Sequence, residues 1–335
     1  MTLQLASGPA VGVDPKAFFP VRVKELRPEA AGILSLGLER PDGGDLPEWT
    51  PGAHIDVQLP GGMLRQYSLC SDPADHTAWR VSVLLERAGR GGSSYVHERL
   101  RPGDVLQARG PRNNFAAVPG AGTVLFIAGG IGITPLLPMV RAAAARGADW
   151  RLLYLGAGRT SMAFLAELDG IGAAAERVRI HAKDESGPLS LDDYLAGAAP
   201  DGDVEVFACG PERLLLQLRA ARACGAVAVL HSEDFSNAPE GAEPVEGGTT
   251  FVVETADGTE IGIAADETIL EALERVGIPA LNSCRKGTCG TCETSVLAGL
   301  PDHRDEILSD EERAENSTMM ICVSRSKGER LVLDL

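Results

Sequence analysis

The sequence predicts a multidomain chain: an antiparallel β-barrel, an α/β domain with a parallel sheet, and a small C-terminal α+β domain. Three observations lead to this prediction. Short apolar stretches separated by turn signals occupy residues 15–117, strands alternate with helices over residues 118–235, and a cysteine-bearing segment lies within residues 249–335. Before that last segment, residues 236–248 are rich in Pro, Gly and Glu, which is typical of a linker.

Composition narrows the possible functions. The chain has 335 residues, 44% of them hydrophobic, and a net charge of −16. Such an acidic chain lacks the basic surface of a nucleic-acid-binding protein. No run of 18 apolar residues occurs, and the first residues lack the basic and apolar regions of a signal peptide. We therefore expect no membrane partner, and a reducing cytoplasm in which stable disulfides are rare.

The predicted barrel contains two candidate binding motifs. Its strands include "FFPVRVKEL", "HIDVQL", "RQYSLC" and "WRVSVLLE". In "RQYS", alternation places Arg65 and Tyr67 on one strand face and Gln66 and Ser68 on the other. An arginine beside a tyrosine could bind a phosphate and stack on an aromatic ring. The loop "GRGGS", residues 89–93, supplies backbone N–H donors for an anion or forms a plain hairpin turn.

The predicted parallel sheet carries glycine-rich motifs at two strand ends. "TVLFIAGG" precedes a helix for which we predict Thr134 as N-cap, Pro135 at the first position and Gly147 at the end. "AGGIGITP" and "ACGP" both follow strands, at the edge where open α/β sheets bind ligands. The first is not G-x-G-x-x-G, which disfavours a Rossmann dehydrogenase.

The C-terminal part combines a hairpin, a helix and four cysteines. The hairpin turns at Asp257-Gly258, and the helix "DETILEALERVG" is predicted to bury Ile269, Leu270, Leu273 and Val276. The cysteines then follow with the spacing C-x4-C-x2-C plus one distant member, and they are Cys284, Cys289, Cys292 and Cys322. This is the ligand pattern of a plant-type [2Fe–2S] cluster.

Other roles for these cysteines fit less well. A disulfide framework is unexpected with seven cysteines in a reducing compartment. Structural zinc usually takes two short cysteine couples, whereas here the fourth cysteine stands alone. A redox dithiol needs only C-x-x-C and leaves Cys284 and Cys322 without a role.

Taken in order, these motifs resemble one family. "RQYS", "GRGGS", "GGIGITP", "CGP", "HSEDF" and "CRKGTCGTC…C" follow one another as in the phthalate dioxygenase reductase family, over nearly the whole chain. The resemblance implies an FMN-binding barrel, an NAD(P)H-binding domain and a C-terminal [2Fe–2S] ferredoxin domain. It also implies that electrons pass from NADH through FMN to the cluster, and on to a terminal Rieske-type oxygenase.

The resemblance also implies roles for individual residues. Thr134, Cys209 and Phe235 are expected at the reacting rings, with Thr134 near the flavin and Phe235 covering one of its faces. The expected flavin contacts are Arg65, Gln66, Tyr67, Ser68, Ser82, Val83, Leu84, Gly91, Gly92 and Ser93. The nicotinamide is expected between Gly130, Cys209, Gly210 and Pro211.

The loop "LGAGRTSM" departs from the usual NAD pattern. NAD sites often place an acid after the second strand to bind the ribose 2′-hydroxyl, and none occurs in this loop. Arg159 could instead accept a 2′-phosphate, or it could stack on adenine. NADH is the coenzyme that the resemblance implies, and NADPH stays possible.

A flavin would explain why the three parts share one chain. Hydride carries two electrons and the cluster accepts one, and a flavin can take two electrons and release them one at a time. Two other functions stay open. The acceptor could be a cytochrome P450 or a diiron hydroxylase, or the chain could be a non-catalytic scaffold with zinc at its cysteines.

Overall fold

The computed structural model describes residues 17–116, 123–171, 174–198, 204–235 and 248–335. Most of the predicted linker, and the predicted boundary between barrel and α/β domain, lie outside these ranges. The chain divides into two compact units, one made of residues up to Cys209 with Gln217–His231, the other of Gly210–Leu216 with Ser232–Leu335. Within the described ranges, no helix has the length and apolar character needed to cross a membrane.

An antiparallel barrel forms the first part of the chain. Its strands are β1 (Phe19–Ala30), β2 (Ile33–Glu39), β3 (His54–Leu59), β4 (Met63–Ser68), β5 (Trp79–Leu84) and β6 (Val105–Arg112). They are hydrogen-bonded in the order β4-β3-β6-β1-β2-β5. A bridge from Leu69 to Val81 connects the two edge strands and closes the ring. Apolar side chains that alternate along these strands fill the barrel core.

The "GRGGS" segment starts a helix and does not form a hairpin turn. Helix α1 (Gly92–Glu98) lies between β5 and β6. Gly91 takes a positive φ of 80° at its N-cap, a conformation that glycine adopts without steric cost. The loop thus delivers closely spaced backbone N–H groups beside strand β4.

A parallel sheet flanked by helices forms the second part. Its strands are β7 (Thr123–Gly129), β8 (Trp150–Gly156), β9 (Val178–Ala182), β10 (Val204–Gly210) and β11 (Val229–Asp234). Its helices are α2 (Ile133–Ala145), α3 (Leu165–Asp169), α4 (Ala174–Arg177), α5 (Lys183–Ser186), α6 (Leu191–Ala198) and α7 (Glu212–Ala223). The strand order is β11-β10-β7-β8-β9, so the chain reverses direction across the sheet between β7 and β10.

Two helix predictions in this sheet are corrected by the structure. A 3₁₀ turn over Gly130–Gly132 precedes α2, whose N-cap is Gly132. Thr134 therefore lies inside the first turn, where its hydroxyl donates to the Ile131 carbonyl at 3.0 Å. The prediction of Thr134 as N-cap was wrong, whereas Gly147 follows the helix with a φ of 66° as expected. The sequence also predicts a helix over "SMAFLAEL", residues 161–168, but helix α3 begins only at Leu165, because Phe164 takes a positive φ of 63° just before it.

The C-terminal part is a small α+β fold around its own core. Its strands are β12 (Phe251–Thr255), β13 (Glu260–Ile263), β14 (Glu293–Ala298), β15 (Pro301–Asp302), β16 (Thr318–Met320), β17 (Arg325–Ser326) and β18 (Arg330–Leu333). Its helices are α8 (Ile269–Val276) and α9 (Asp310–Glu315). The order β13-β12-β18-β14-β16 pairs β12 in parallel with β18 at the centre of the main sheet.

The amphipathic helix α8 packs its apolar side chains on this sheet. Thr268 caps it through a reciprocal capping box with Glu271, and Gly277 ends it in the left-handed conformation. Ile269, Leu270 and Leu273 are buried as predicted. Val276 is 45% exposed, because the buried face ends one turn earlier, so its predicted burial was wrong.

Candidate functional site

The four predicted ligand cysteines lie together as two thiol pairs. A hydrogen bond with the Cys289 thiol is the largest influence on Cys284, and it lowers the pKa of Cys284 to about 5. The same bond raises the pKa of Cys289. A hydrogen bond to Cys322 raises the pKa of Cys292 well above its usual value. The loop thus pairs its first two cysteines, and the fold brings the distant Cys322 to the third.

The backbone between the cysteines places hydrogen-bond donors close to the Cys284 sulfur. The Lys286 N–H points at the Cys284 sulfur at 3.3 Å, and the Thr288 hydroxyl lies 3.5 Å from it. Gly287 has a φ of 70° and approaches the segment that carries Cys322 closely. A Cβ at Gly287 would lie 2.6 Å from a methyl group of Val323. Only glycine fits here without displacing that segment.

This donor set fits a two-iron cluster. Thiolates are the ligands that iron–sulfur clusters use, and N–H···S bonds tune their potential. A [2Fe–2S] cluster needs two cysteines for each iron, and the pairs Cys284–Cys289 and Cys292–Cys322 supply them. In the described part of the chain, no three His, Cys, Asp or Glu side chains are arranged to hold one metal ion.

The two barrel motifs meet at one place. The Arg65 guanidinium donates to the Leu64 carbonyl at 2.8 Å and to the Arg90 carbonyl at 2.7 Å. A Cβ at Gly92 would lie 2.4 Å from the Arg65 Nε, so the glycine makes room for the arginine. Burial lowers the pKa of Arg65, because the charged guanidinium loses solvation there. An anion between Arg65 and the N–H groups of the glycine loop would be stabilised there.

Three other residues predicted to contact the flavin lie on strand β4 with Arg65. Tyr67 is half-buried in strand β4, and burial raises its pKa. The Ser68 hydroxyl is buried and has no hydrogen-bond partner among the described residues, so a ligand atom could satisfy it. Gln66 lies on the same strand, opposite Asp56.

Three predicted contacts make structural hydrogen bonds of their own. Ser93 both accepts from and donates to the backbone of Glu86, which closes the glycine loop. The buried Ser82 hydroxyl lies 2.6 Å from that of Ser35. In strand β5, the Val83 carbonyl lies 2.9 Å from a ring nitrogen of His97, and Leu84 follows, half-buried.

The predicted nicotinamide residues lie at one edge of the parallel sheet. Cys209 of β10 is paired in register with Ala128 of β7, so both strands end beside each other. Gly130 has a φ of 56°, and no atom lies within 4 Å of where its Cβ would be. Cys209 is fully buried, with Gly210 and Pro211 following it in sequence. Phe235 follows strand β11 and is 39% exposed.

The structure brings two acids that sequence reasoning missed to Gly158 and Arg159. Arg159 Nε donates to Glu185 Oε2 at 3.0 Å. A Cβ at Gly158 would lie 2.3 Å from Asp184 Oδ2. Both acids follow strand β9, one strand away from the loop in which an acid was sought. The sequence contained a signal for them, since "DES" directly follows "RVRIHAK", which the sequence predicts as a strand of the parallel sheet.

An antiparallel barrel, a parallel α/β sheet and a four-cysteine α+β fold in one chain define a flavin- and iron–sulfur-dependent reductase. Residues 254–327 match the family model of the 2Fe-2S iron-sulfur cluster binding domain. The chain is 43% identical over 317 residues to phenoxybenzoate dioxygenase subunit beta of Ectopseudomonas oleovorans, covering 94% of this chain and 97% of that protein. The structure of phthalate dioxygenase reductase matches at 33% identity and a TM-score of 0.68, covering 95% of this chain and 98% of that one.

A further solved structure resembles the chain closely. It is an intact type IV self-sufficient cytochrome P450 monooxygenase, with a TM-score of 0.80 and 42% identity over 94% of this chain. This chain spans only 41% of that protein.

The chain belongs to the phthalate dioxygenase reductase family. It is a reductase that passes electrons from NADH through FMN to a [2Fe–2S] cluster, and from there to a partner oxygenase. The predictions of family, fold class, cofactors and function are confirmed, and the reading as a zinc scaffold is excluded.

Proposed function

We propose that the partner is a Rieske-type oxygenase and that this reductase supplies its electrons in the cytoplasm. The observation that carries the proposal is near end-to-end similarity to a dioxygenase subunit and to a dioxygenase reductase. Plant-type clusters have potentials near roughly −400 mV and Rieske centres lie from about −150 mV upward, so transfer runs downhill.

We assign the cofactor sites as follows. Arg65 and the glycine loop of Gly91 and Gly92 would hold the FMN phosphate, and Tyr67 and Ser68 would hold the flavin ring. Arg65 and Gly92 are in contact, and the Ser68 hydroxyl has no hydrogen-bond partner in the described part of the chain. Bound there, FMN would supply the conversion between a two-electron hydride donor and a one-electron acceptor. This chain's residues hold it, and they orient the nicotinamide at the edge formed by Gly130 and Cys209.

The test is an electron-transfer assay with purified components. NADH, the holoprotein and one of several Rieske oxygenases are mixed, and reduction of the Rieske centre is followed by its absorbance. The proposal expects rapid reduction of at least one Rieske partner, and product formation with that partner's substrate. Failure with every Rieske partner, combined with fast reduction of a P450, would overturn it.

A cytochrome P450 is the second candidate acceptor. The similarity to a self-sufficient P450 protein favours it, since that protein contains a region like this whole chain. Ferrous–CO formation at 450 nm by a separate P450 domain measures this transfer directly.

The proposed cytoplasmic location is tested by fractionating cells and probing the soluble fraction for the reductase.

A further inference from the structure

The connection between β15 and α9, residues 303–309, packs against the cysteine loop, residues 284–292. The Glu306 backbone N–H donates to the Gly287 carbonyl at 3.0 Å. A Cβ at Gly287 would lie 3.0 Å from the Asp305 Cα. Because Gly287 lies between the first two proposed cluster ligands, this connection contacts the loop that supplies them.

The same connection also contacts the segment that carries Cys322. The Ser324 hydroxyl accepts from the Arg304 backbone N–H at 3.2 Å and donates to a carboxylate oxygen of Asp305 at 3.4 Å. Ser324 is fully buried and lies two residues after Cys322. Residues 304–306 therefore contact both parts of the chain that supply the proposed ligands.

This connection begins with a buried imidazole that makes no hydrogen bond. The His303 side chain is 5% exposed, and neither of its ring nitrogens has a hydrogen-bond partner among the described residues. Its Nδ1 lies 3.8 Å from Oδ1 of Asp305, whose side chain is fully buried. A buried polar group without a partner costs free energy, whereas a protonated imidazole would be attracted by the carboxylate. The place is therefore suited to binding a proton.

The Asp305 carboxylate is held in position by other donors. Its Oδ2 accepts from the backbone N–H groups of Leu308 at 2.9 Å and Ile307 at 3.2 Å. The Arg313 guanidinium of α9 lies 3.8 Å from the same oxygen and donates to the Asp305 backbone carbonyl. The position of the carboxylate therefore does not depend on a proton at His303.

Other charged side chains of the neighbouring elements are engaged elsewhere. Arg325 of β17, which lies opposite Asp302, donates to backbone carbonyls. The remaining charged side chains form ion pairs, which are Asp302–Arg304, Arg285–Glu274 and Lys286–Asp234. Asp305, together with Arg313 beside it, is thus the charged group that we expect to act on His303.

We propose that His303 takes up a proton when the cluster is reduced, so that the reductase couples its electron transfer to a proton. Reduction adds one negative charge to the cluster, and this charge increases the proton affinity of a nearby imidazole. The electron comes from the flavin. The proton comes from solvent and forms a new N–H bond at a ring nitrogen, and it returns to solvent when the electron passes to the partner. The inference extends the proposed function, because it takes the four cysteines as the cluster ligands.

The experiment measures the reduction potential of the cluster in the flavin- and cluster-loaded protein, from about pH 5.5 to about pH 9, a range that brackets ordinary histidine titration. Electron paramagnetic resonance of the reduced cluster follows each redox titration. In wild type, reduction should raise the proton affinity by about tenfold, so the potential should fall by about 59 mV across this range. His303→Gln keeps a polar side chain but binds no proton, so its potential should not change with pH.

His76→Gln is the matched control, because it is the same substitution in the other compact unit. It should keep the pH dependence of wild type. Arg313→Gln removes a positive charge near Asp305, which favours the protonated imidazole, so the potential should change over a higher pH range. This second variant tests the inference without altering His303.

Three results would overturn the inference. They are a wild-type potential that does not change with pH, a pH dependence that persists in His303→Gln, and an unshifted pH range in Arg313→Gln. The measurement uses no oxygenase. Failure of every Rieske partner to accept electrons would therefore contradict the proposed function and leave the pH dependence of the potential as measured.

Discussion

Cys322 joins its three partners only through folding, and one substitution isolates its contribution. Cys322→Ser removes one of the two thiolates proposed for one iron, so the [2Fe–2S] centre should be lost or strongly weakened. Flavin should remain, because Arg65 and the glycine loop belong to the other compact unit. The measurement is iron and flavin content, with electron paramagnetic resonance of the reduced protein.

The Cys322→Ser substitution should also affect two reductase activities differently. NADH-dependent ferricyanide reduction should persist, because that acceptor takes electrons from flavin, whereas cytochrome c reduction should fall. Cys224→Ser is the control, since Cys224 is exposed and lies outside the cluster loop. A normal iron–sulfur spectrum in Cys322→Ser would remove this residue from the ligand set.

Arg65 tests the flavin site in the same way. Arg65→Ala removes a cation whose two carbonyl partners leave its charge available to a phosphate. The loss of one charge-assisted contact costs about 1.5–3 kcal/mol, so FMN affinity should fall roughly ten- to hundredfold. Fluorescence of released FMN on dilution measures the dissociation constant.

Arg99→Ala provides the control for Arg65→Ala, because Arg99 is an exposed arginine just after helix α1. It should bind FMN as wild type does. Unchanged FMN affinity in Arg65→Ala would show that the phosphate lies elsewhere, and FAD in the purified protein would contradict the FMN assignment.

Some of these residues were predictable and others were not. The cysteine loop was predicted from its spacing, since three of the four proposed ligands lie within nine residues. Arg65 and Gly92 were each suggested by a motif, but only folding shows that they touch. Asp184 and Glu185 were missed because they reach Gly158 and Arg159 from the segment after a different strand. A motif search along one loop does not detect a contact with another loop. The predicted proximity of β8 and β9 in the sheet could have suggested it.

Within the ferredoxin part, Arg325 of β17 connects several elements. Its buried guanidinium donates to the carbonyls of Thr249 at 3.0 Å, Ala264 at 2.9 Å and Glu267, and it lies over the Phe251 ring. Burial lowers its pKa. One side chain therefore fixes the approach to β12 and the loop before α8.

Arg325→Met should destabilise this part of the protein. The substitution keeps much of the side-chain volume but leaves buried carbonyls unsatisfied, at a cost of about 2–4 kcal/mol. Loss of cluster absorbance during heating should begin at a lower temperature than in wild type. Lys327→Met, at an exposed neighbouring position, should behave as wild type. If Arg325→Met and Lys327→Met were equally stable, water would satisfy the buried carbonyls as well as the arginine does.

Sequence patterns predicted most elements but not all of their ends. Strands and the amphipathic helix α8 were found because their periodicity is strong. Helix α1 was missed, since its seven residues contain little apolar bulk and its first residue is Gly92, directly after Gly91. The start of α3 was placed too early, because the backbone of Phe164 is set by packing and not by its own preference. Where tertiary contacts override local propensity, the sequence alone gives no warning.

In the first compact unit, Glu167 connects the barrel with the parallel sheet. It accepts from Arg80 of β5 at 2.7 and 2.8 Å, from Arg27 of β1 at 3.1 Å and from Arg141 of α2 at 2.5 Å. Burial alone would raise the pKa of Glu167, but the hydrogen bonds and charge of Arg80 and Arg141 outweigh it and lower the pKa to about 2. The carboxylate is therefore more stable in the folded protein than in the unfolded chain.

This difference predicts how stability depends on pH. Because the folded pKa of about 2 lies below the ordinary value of 4.5, the contribution is fully present above roughly pH 5. It is lost as the pH falls from about 4.5 towards 2. The group is partly exposed, so solvent screening reduces its contribution to about 1–2 kcal/mol.

Glu167→Gln should therefore lower the melting temperature of this unit at pH 7 by roughly 2–6 °C, and the difference from wild type should shrink as the pH approaches 3. Tryptophan fluorescence reports on this unit alone, because all three tryptophans, at positions 49, 79 and 150, lie within it. Glu48→Gln, which removes an exposed acid from the same unit, controls for the change in net charge. If the Glu167→Gln difference stayed constant between pH 7 and pH 3, the arginine cluster would act through packing and not through the carboxylate charge.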